Sequence, residues 1–359
     1  AAAMLIRPET NIVNDGIIRA GTGGTVAIDA TQSNLTLIEL RAGSSITGLV
    51  LANAGGTFAQ TLQLGGTVNA SFDMSSVGAA AQYRNFNRFV KAGTSSWSLT
   101  GNASTMPGSV WELQQGTLVF DDTATGQVAN ILGNGALVFQ QDGLLSVGAL
   151  TGAISVLQSG PGTTTLVANI HSLGTTLTGG TLSFGTEQAP GSGAFTITGG
   201  VLQWTGNGSI ARSINWGASG AEIEVTGSQL TLDQPLLGGG ALTKSGAGSL
   251  ILTGDNTYTG GTTIAAGTLR VNSSILGDVL DNGTLIFGNS AAYTYAGSIT
   301  GSGNLSVVGT GLLTLTGNSN FGGTLTVNNA NGGLNITGGA TVAWGGTTAH
   351  SNGQFLVNA

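Results

Sequence analysis

One segment of this chain recurs, and its recurrence restricts the fold more than any other property. Leu242-Thr243-Lys244-Ser245-Gly246-Ala247-Gly248-Ser249-Leu250-Ile251-Leu252-Thr253-Gly254-Asp255 returns as Phe89-Val90-Lys91-Ala92-Gly93 followed by Trp97-Ser98-Leu99-Thr100-Gly101-Asn102, a shift of 153. Leu305 to Asn318 matches at a shift of 63 and keeps Gly309, Gly311, Leu313, Leu315, Thr316 and Gly317. A fainter copy runs through Val156, Gly160, Gly162 and Leu166 at a shift of 86, and Gly-Thr-Leu triplets begin at Gly116, Gly180, Gly267 and Gly323. Successive copies, measured at residues 91, 158, 244 and 307, lie 67, 86 and 63 residues apart. Divided by three, four and three, these gaps share a quantum of about 21–22 residues, the pattern of stacked solenoid coils.

Within each copy the apolar residues alternate. Leu269 and Val271 share one face while Thr268, Arg270 and Asn272 take the other, and Leu182/Phe184, Leu285/Phe287, Leu313/Leu315, Leu325/Val327 and Leu334/Ile336 repeat the pattern. Bursts of four to six residues that end at Gly, Asn or Asp predict short strands with one buried face. Three such strands and three turns fill one coil, and like strands of successive coils pair in parallel at ~4.8 Å. With 359 residues the chain makes roughly 17 coils. Only Ser75–Lys91, with Ala79–Ala81 and aromatics at Tyr83, Phe86 and Phe89, reads as a possible helix.

Composition narrows the function. The 63 glycines suit turns that must reach positive φ on every coil. A hydrophobic content of 40% argues against charge-driven disorder, and the lack of a Gly-x-y register with only 5 prolines excludes collagen. Charged residues are 7% of the chain, and the net charge of −7 argues against nucleic acid as a partner. Arg84, Arg88 and Lys91 interleave with Tyr83, Phe86 and Phe89, a pattern that could stack single strands; the expected arrangement is a solvated edge with its aromatics packed inward. The absence of cysteine removes disulfides, zinc-thiolate sites and thiol catalysis. Residues 143–186 carry no Asp, Glu, Lys or Arg, yet Gly148, Gly152, Gly160, Pro161, Gly162 and Gly174 interrupt them, so no spanning helix is predicted.

The unit from Gly240 to Leu269, with its Lys244-Ser245-Gly246-Ala247-Gly248 turn, Leu250-Ile251-Leu252-Thr253-Gly254-Asp255-Asn256 strand and Gly267-Thr268-Leu269 triplet, closely resembles the passenger-associated repeat of bacterial autotransporters. Tyr295 to Leu305 resembles the same family's lead-in. The clear resemblance covers residues 233–337, fainter repeats cover 88–185, and residues 1–80 agree only in composition and alternation. The resemblance implies an all-β, right-handed parallel β-helix over residues 1–359, a single passenger domain exported through an outer-membrane β-barrel. Neither a signal peptide at Ala1–Thr10 nor a barrel before Ala359 is evident, so the expectation is a passenger or a piece of one, tied to a membrane only through a C-terminal barrel absent from this sequence.

Chemistry is sparse. There is no Gly-x-Ser-x-Gly elbow; the two histidines, His171 and His350, have no acidic neighbours in sequence, and His171 is expected at a turn. No histidine pair has metal-ligand spacing, and no Gly-x-Gly pair completes a nucleotide fingerprint, so no metal and no cofactor are expected. Glu222 and Glu224 flank Ile223 on a predicted strand and should both point outward, ~7 Å apart, a spacing near that of inverting carboxylates. Asp121, Asp122, Asp278 and Asp281 read as turn acids, and Trp204 and Trp216 fall in register with inward residues. The leading expectation is a non-enzymatic adhesin on a bacterial surface or secreted, working by self-association in cell aggregation or biofilm, or by binding a host or cell-surface ligand. The alternatives are a carbohydrate-active β-helix with its site at Glu222 and Glu224, and a passive stalk displaying another domain.

Overall fold

The computed structural model describes residues 4–5, 10–32, 35–55, 59–105, 110–167 and 169–357. Among the described residues, apart from two short 3-10 turns, Met74–Ser76 and Ala103–Thr105, the regular elements are strands, and they pair in parallel from coil to coil. The chain is a parallel β-helix of about 16 turns. No helix among the described residues is long and apolar enough to cross a membrane.

The chain forms two compact units, residues 1–175 with 188–193, and residues 176–187 with 194–359. In the first unit one face stacks Leu35–Leu40, Thr61–Leu64, Arg88–Lys91 and Val110–Leu113. A second face stacks Ala70–Asp73, Ser96–Thr100 and Thr117–Phe120. In the second unit one face runs through Thr181–Phe184, Val201–Trp204, Ala221–Val225, Leu242–Ser245, Thr262–Ile264 and Val279–Asp281. Another runs through Gln229–Leu232, Ser249–Leu252, Thr268–Val271, Thr284–Phe287 and Asn304–Val307. The core of each unit is the column of inward side chains, as in Leu230, Leu250, Leu269, Leu285 and Leu305, all fully buried and in register. All the alternating pairs expected from the sequence face inward.

Coil length varies more than a single quantum implies. Leu269 to Leu285 takes sixteen residues, Val50 to Tyr83 takes 33, and Phe89 to Trp111 takes 22. The repeat copies also do not lie whole coils apart. Lys91 stacks on Leu113, Gly133 and Gly152, and the equivalent residue, Gln158, comes six positions later on the adjoining face. Likewise Lys244 stacks on Ile264 and Asp281, which aligns with Gly301 one coil on, and Val307 again lies six positions beyond. From Lys91 to Gln158, and again from Lys244 to Val307, the motif therefore advances by one face.

The expected helix at Ser75–Lys91 is not formed. After the turn Met74–Ser76 the chain loops out, returns as Tyr83–Arg84 and enters the stack as Arg88–Lys91. Gly78 at φ 148° and Asn85 at φ 66° hold conformations no helix tolerates. The aromatic spacing of three arises because Tyr83, Phe86 and Phe89 enter the core from successive short segments, with Tyr83 5.7 Å from Phe72 and Phe89 5.3 Å from Trp111.

Parallel stacking leaves no room for a side chain where one turn crosses another. A Cβ on Gly311 would overlap the carbonyl of Ala291 in the coil before, whereas Gly239 has open space around it. Gly311→Ala should therefore cost about 1–3 kcal/mol through forced backbone shifts, and Gly239→Ala should stay within ~0.5 kcal/mol. Urea midpoints of the two variants measure this; equal midpoints would show that the turns tolerate displacement.

Candidate functional site

The two clearest copies of the repeat are built alike. Each consists of a strand, a corner, a second strand, and the same pair of strands one coil later: Arg88–Lys91, Ser96–Thr100, Val110–Leu113 and Thr117–Phe120 in one, Leu242–Ser245, Ser249–Leu252, Thr262–Ile264 and Thr268–Val271 in the other. The corner holds a lysine whose residue is wholly buried. Lys91 Nζ donates to the carbonyls of Ala92 (2.7 Å), Gly93 (2.7 Å) and Gln115 (3.2 Å). Lys244 Nζ donates to those of Ser245 (2.5 Å), Gly246 (2.9 Å) and Ala266 (3.1 Å). Three donors on a flexible stem match three carbonyls that turn inward where the chain bends.

The Gly-Thr-Leu triplets complete these corners. Gly116 (φ 81°) and Gly267 (φ 69°) lie one coil on, and a Cβ at either would come 2.8 or 2.9 Å from the ammonium. Burial pushes both ammonium groups down to about 8, and Glu224 opposes that shift at Lys244. In the fainter copy Gln158 does the same work with an amide. Its Nε2 donates to the carbonyls of Gly160 (3.0 Å) and Gly162 (3.3 Å), and its Oε1 accepts from Thr164 Oγ1 at 2.6 Å.

Lys91 is thus a correction to the expected solvated edge at Arg84, Arg88 and Lys91. The aromatics are packed inward and both arginines are half-buried, with Arg88 paired to Glu112, but Lys91 faces the interior. The alternation itself carried a signal for this. Lys91 has the parity of Phe89, and Lys244 that of Leu242, so both fall on the inward side.

Glu222 and Glu224 lie where the sequence places them, on the outer surface of Ala221–Val225 with Ile223 and Val225 buried between and beyond them. Each is half-buried and tied to a neighbouring coil. Ser245 Oγ donates to Glu222, and Gln203 Nε2 donates to Glu224 Oε2 at 2.8 Å. Gln203 Oε1 in turn accepts from Ser183 Oγ at 2.7 Å. The pair belongs to an outward hydrogen-bonded row that crosses the coils. Trp204 and Trp216 are buried, as their register predicts, and present no ring beside the carboxylates for a sugar to stack on.

The remaining candidates divide between surface and core. Asp121 and Asp122 sit at an exterior turn, as expected. Asp278 is exposed, and the amide of Ser298, donating to its Oδ1 at 2.8 Å, holds its carboxyl below the usual range. Asp281 is not a turn acid. It is the buried last residue of Val279–Asp281, shares the parity of Val279, and burial pushes its carboxyl up to about 6. His171 is not at a turn either. It is the buried last residue of Asn169–His171, with Nε2 3.0 Å from Thr175 Oγ1, which donates to the carbonyl of Pro190 at 2.8 Å. His350 is exposed. Among the described residues no three His, Asp or Glu side chains are placed to hold a metal ion.

Comparison with known proteins agrees with this architecture. Residues 89–120 and 242–271 match the model of the passenger-associated-transport-repeat family, each span running from the strand that carries a buried lysine to the strand after the Gly-Thr-Leu glycine. Over 265 residues, 64% of this chain, the sequence is 31% identical to a protein of Brucella suis biovar 1 described as "Adhesin BmaC autotransporter". The chain spans about 8% of that relative's length. No solved structure matches. This chain is a parallel β-helix in which two segments, residues 89–120 and 242–271, are similar to the passenger-associated transport repeat.

Proposed function

We propose that residues 1–359 form a single β-helical passenger segment of a bacterial autotransporter, placed at the cell surface or secreted, and that it acts as a non-enzymatic adhesin. The observation that carries this reading is the division of labour between the two sides of the coil. The leucines and the corner lysines of the repeat point inward and hold the coil together, while the outer side chains are mostly small and polar and available for contact. That outer surface is mostly Thr, Ser, Asn, Gln and Gly, with little like-charge repulsion between copies. Weak contacts repeated coil after coil gain avidity without a pocket. The name of the Brucella relative supports the same reading. The partner is a second copy of the chain or a ligand on a host or other cell surface.

Displaying the passenger on non-adherent cells should make them settle or bind host-cell surfaces, and the purified chain should self-associate weakly on sedimentation. Added salt should leave that association unchanged or slightly stronger, because screening removes the repulsion of a net −7 chain. Dispersed, non-binding cells would sink the adhesin reading and leave a stalk. Reducing sugar released from a polysaccharide panel, and lost in Glu222→Gln or Glu224→Gln, would instead favour a carbohydrate-active surface.

A further inference from the structure

Between Val279–Asp281 and Thr284–Phe287 the chain turns through two residues, Asn282 and Gly283. An Asn-Gly step leaves the asparagine amide open to attack by the next backbone nitrogen, because glycine has no Cβ to hinder closure of a five-membered ring. Three groups converge on this step. The Gly283 N–H donates to Asp281 Oδ1 at 2.9 Å, so the nitrogen that would attack is already bound to a carboxylate. That carboxylate belongs to a fully buried residue, and its Oδ2 has no hydrogen-bond partner. Asn282 Oδ1, at the exposed surface, accepts from both the backbone N–H and the Oγ of Ser302, each at 3.2 Å. Two donors there stand where charge develops when the side-chain carbonyl is attacked.

We propose that Asp281-Asn282-Gly283 is a self-modifying site, at which Asp281 takes the Gly283 amide proton as that nitrogen closes on Asn282 Cγ. The new N–Cγ bond forms as the carbonyl electron pair moves onto Oδ1, held by Ser302. Collapse of this intermediate expels the side-chain amide nitrogen, which leaves as ammonia carrying the proton from Asp281. Water then opens the cyclic imide at either carbonyl, giving aspartate or isoaspartate at position 282. The balance is one water consumed and one ammonia released, with no redox change. The product places a carboxylate at the start of residues 282–359, which otherwise contain no Asp, Glu, Lys or Arg. Four other Asn-Gly steps occur, at Asn134, Asn207, Asn331 and Asn352, and each follows a glycine, alanine or serine instead of a carboxylate. Asn134, Asn207 and Asn331 lie within strand segments and serve as internal controls.

The test is to incubate the full purified chain at neutral pH and follow amide-to-acid conversion at each Asn-Gly step by peptide mapping. Asn282 is expected to convert first. Asp281→Asn should slow position 282 at least about tenfold, a small part of the ~10²–10⁴ that a positioned general base supplies in enzymes, and leave Asn134, Asn207 and Asn331 unchanged. Ser302→Ala should also slow it. A variant that merely loosened the coil would raise all the steps together, and Ser302→Ala, at the surface, then decides. The proposal is overturned if Asn282 converts no faster than Asn134 and Asn207, or if Ser302→Ala leaves its rate unchanged.

Discussion

Leu269→Asp is expected to open the second unit to protease at the coils around residue 269 while Thr268→Asp leaves it resistant. Leu269 is fully buried and stacks between Leu250 and Leu285 of the adjoining coils. The substitution removes most of a packed side chain, a loss of about 3–5 kcal/mol for leucine truncations. It also strands a carboxylate in an apolar column, costing several kcal/mol more or a raised pKa. Thr268 is the neighbouring residue on the same strand but is half-exposed on the outer side, where a new charge should cost within ~0.5 kcal/mol. Coils touch only their nearest neighbours, so the damage should stay local, and mass spectrometry of the early fragments should place the cuts near residue 269. Equal resistance of the two variants would mean that the inward column does not hold the stack together.

Lys244→Ala is expected to destabilise the same unit by about 3–5 kcal/mol, through a cavity and three inward carbonyls left without a donor. Lys244→Met, which refills the volume and removes the cost of a buried charge, should recover part of this and still fall short of the parent chain. The pH dependence separates the two causes. In the fold the ammonium is pushed down to about 8, below the ordinary lysine value, so the unfolded chain holds this proton more tightly. The contribution of this group to stability therefore rises as pH climbs from about 8 towards the ordinary lysine range. Lys244→Met should flatten that part of the curve, measured as urea midpoints across pH. If Lys244→Ala melts with the parent chain, the corner lysine is not a structural part of the repeat.

Alternation decided which residues face inward, and the sequence shows it plainly. Leu182/Phe184, Leu285/Phe287 and Leu313/Leu315 are read correctly because a strand's side-chain period is fixed by backbone geometry whatever the tertiary context. The repeat was legible for the same reason, since a stacked coil must meet the same steric demands on every turn, and Gly311 and Gly267 are where those demands tolerate no side chain. The outward placement of Glu222 and Glu224 followed directly.

Parity puts Lys91 and Lys244 on the inward side, but tertiary structure alone supplied the partners that let polar groups stay there, and it alone set the path of the coils. Hydropathy places Lys91, Lys244 and Asp281 at the surface, and the groups that receive the lysines, the carbonyls of Gln115 and Ala266, lie 24 and 22 residues away in sequence. A lysine is stable inside only because the next coil turns a carbonyl towards it, and that juxtaposition exists only after stacking. Equal spacing of the repeats also concealed that the copies step from one face to the next, since a gap of three coils plus one face divides as smoothly as a gap of three longer coils. The sequence determined the period and the sidedness of the strands, which are local properties of the backbone. Stacking decided which inward polar groups find partners and which face each repeat occupies, because both depend on groups a full coil away.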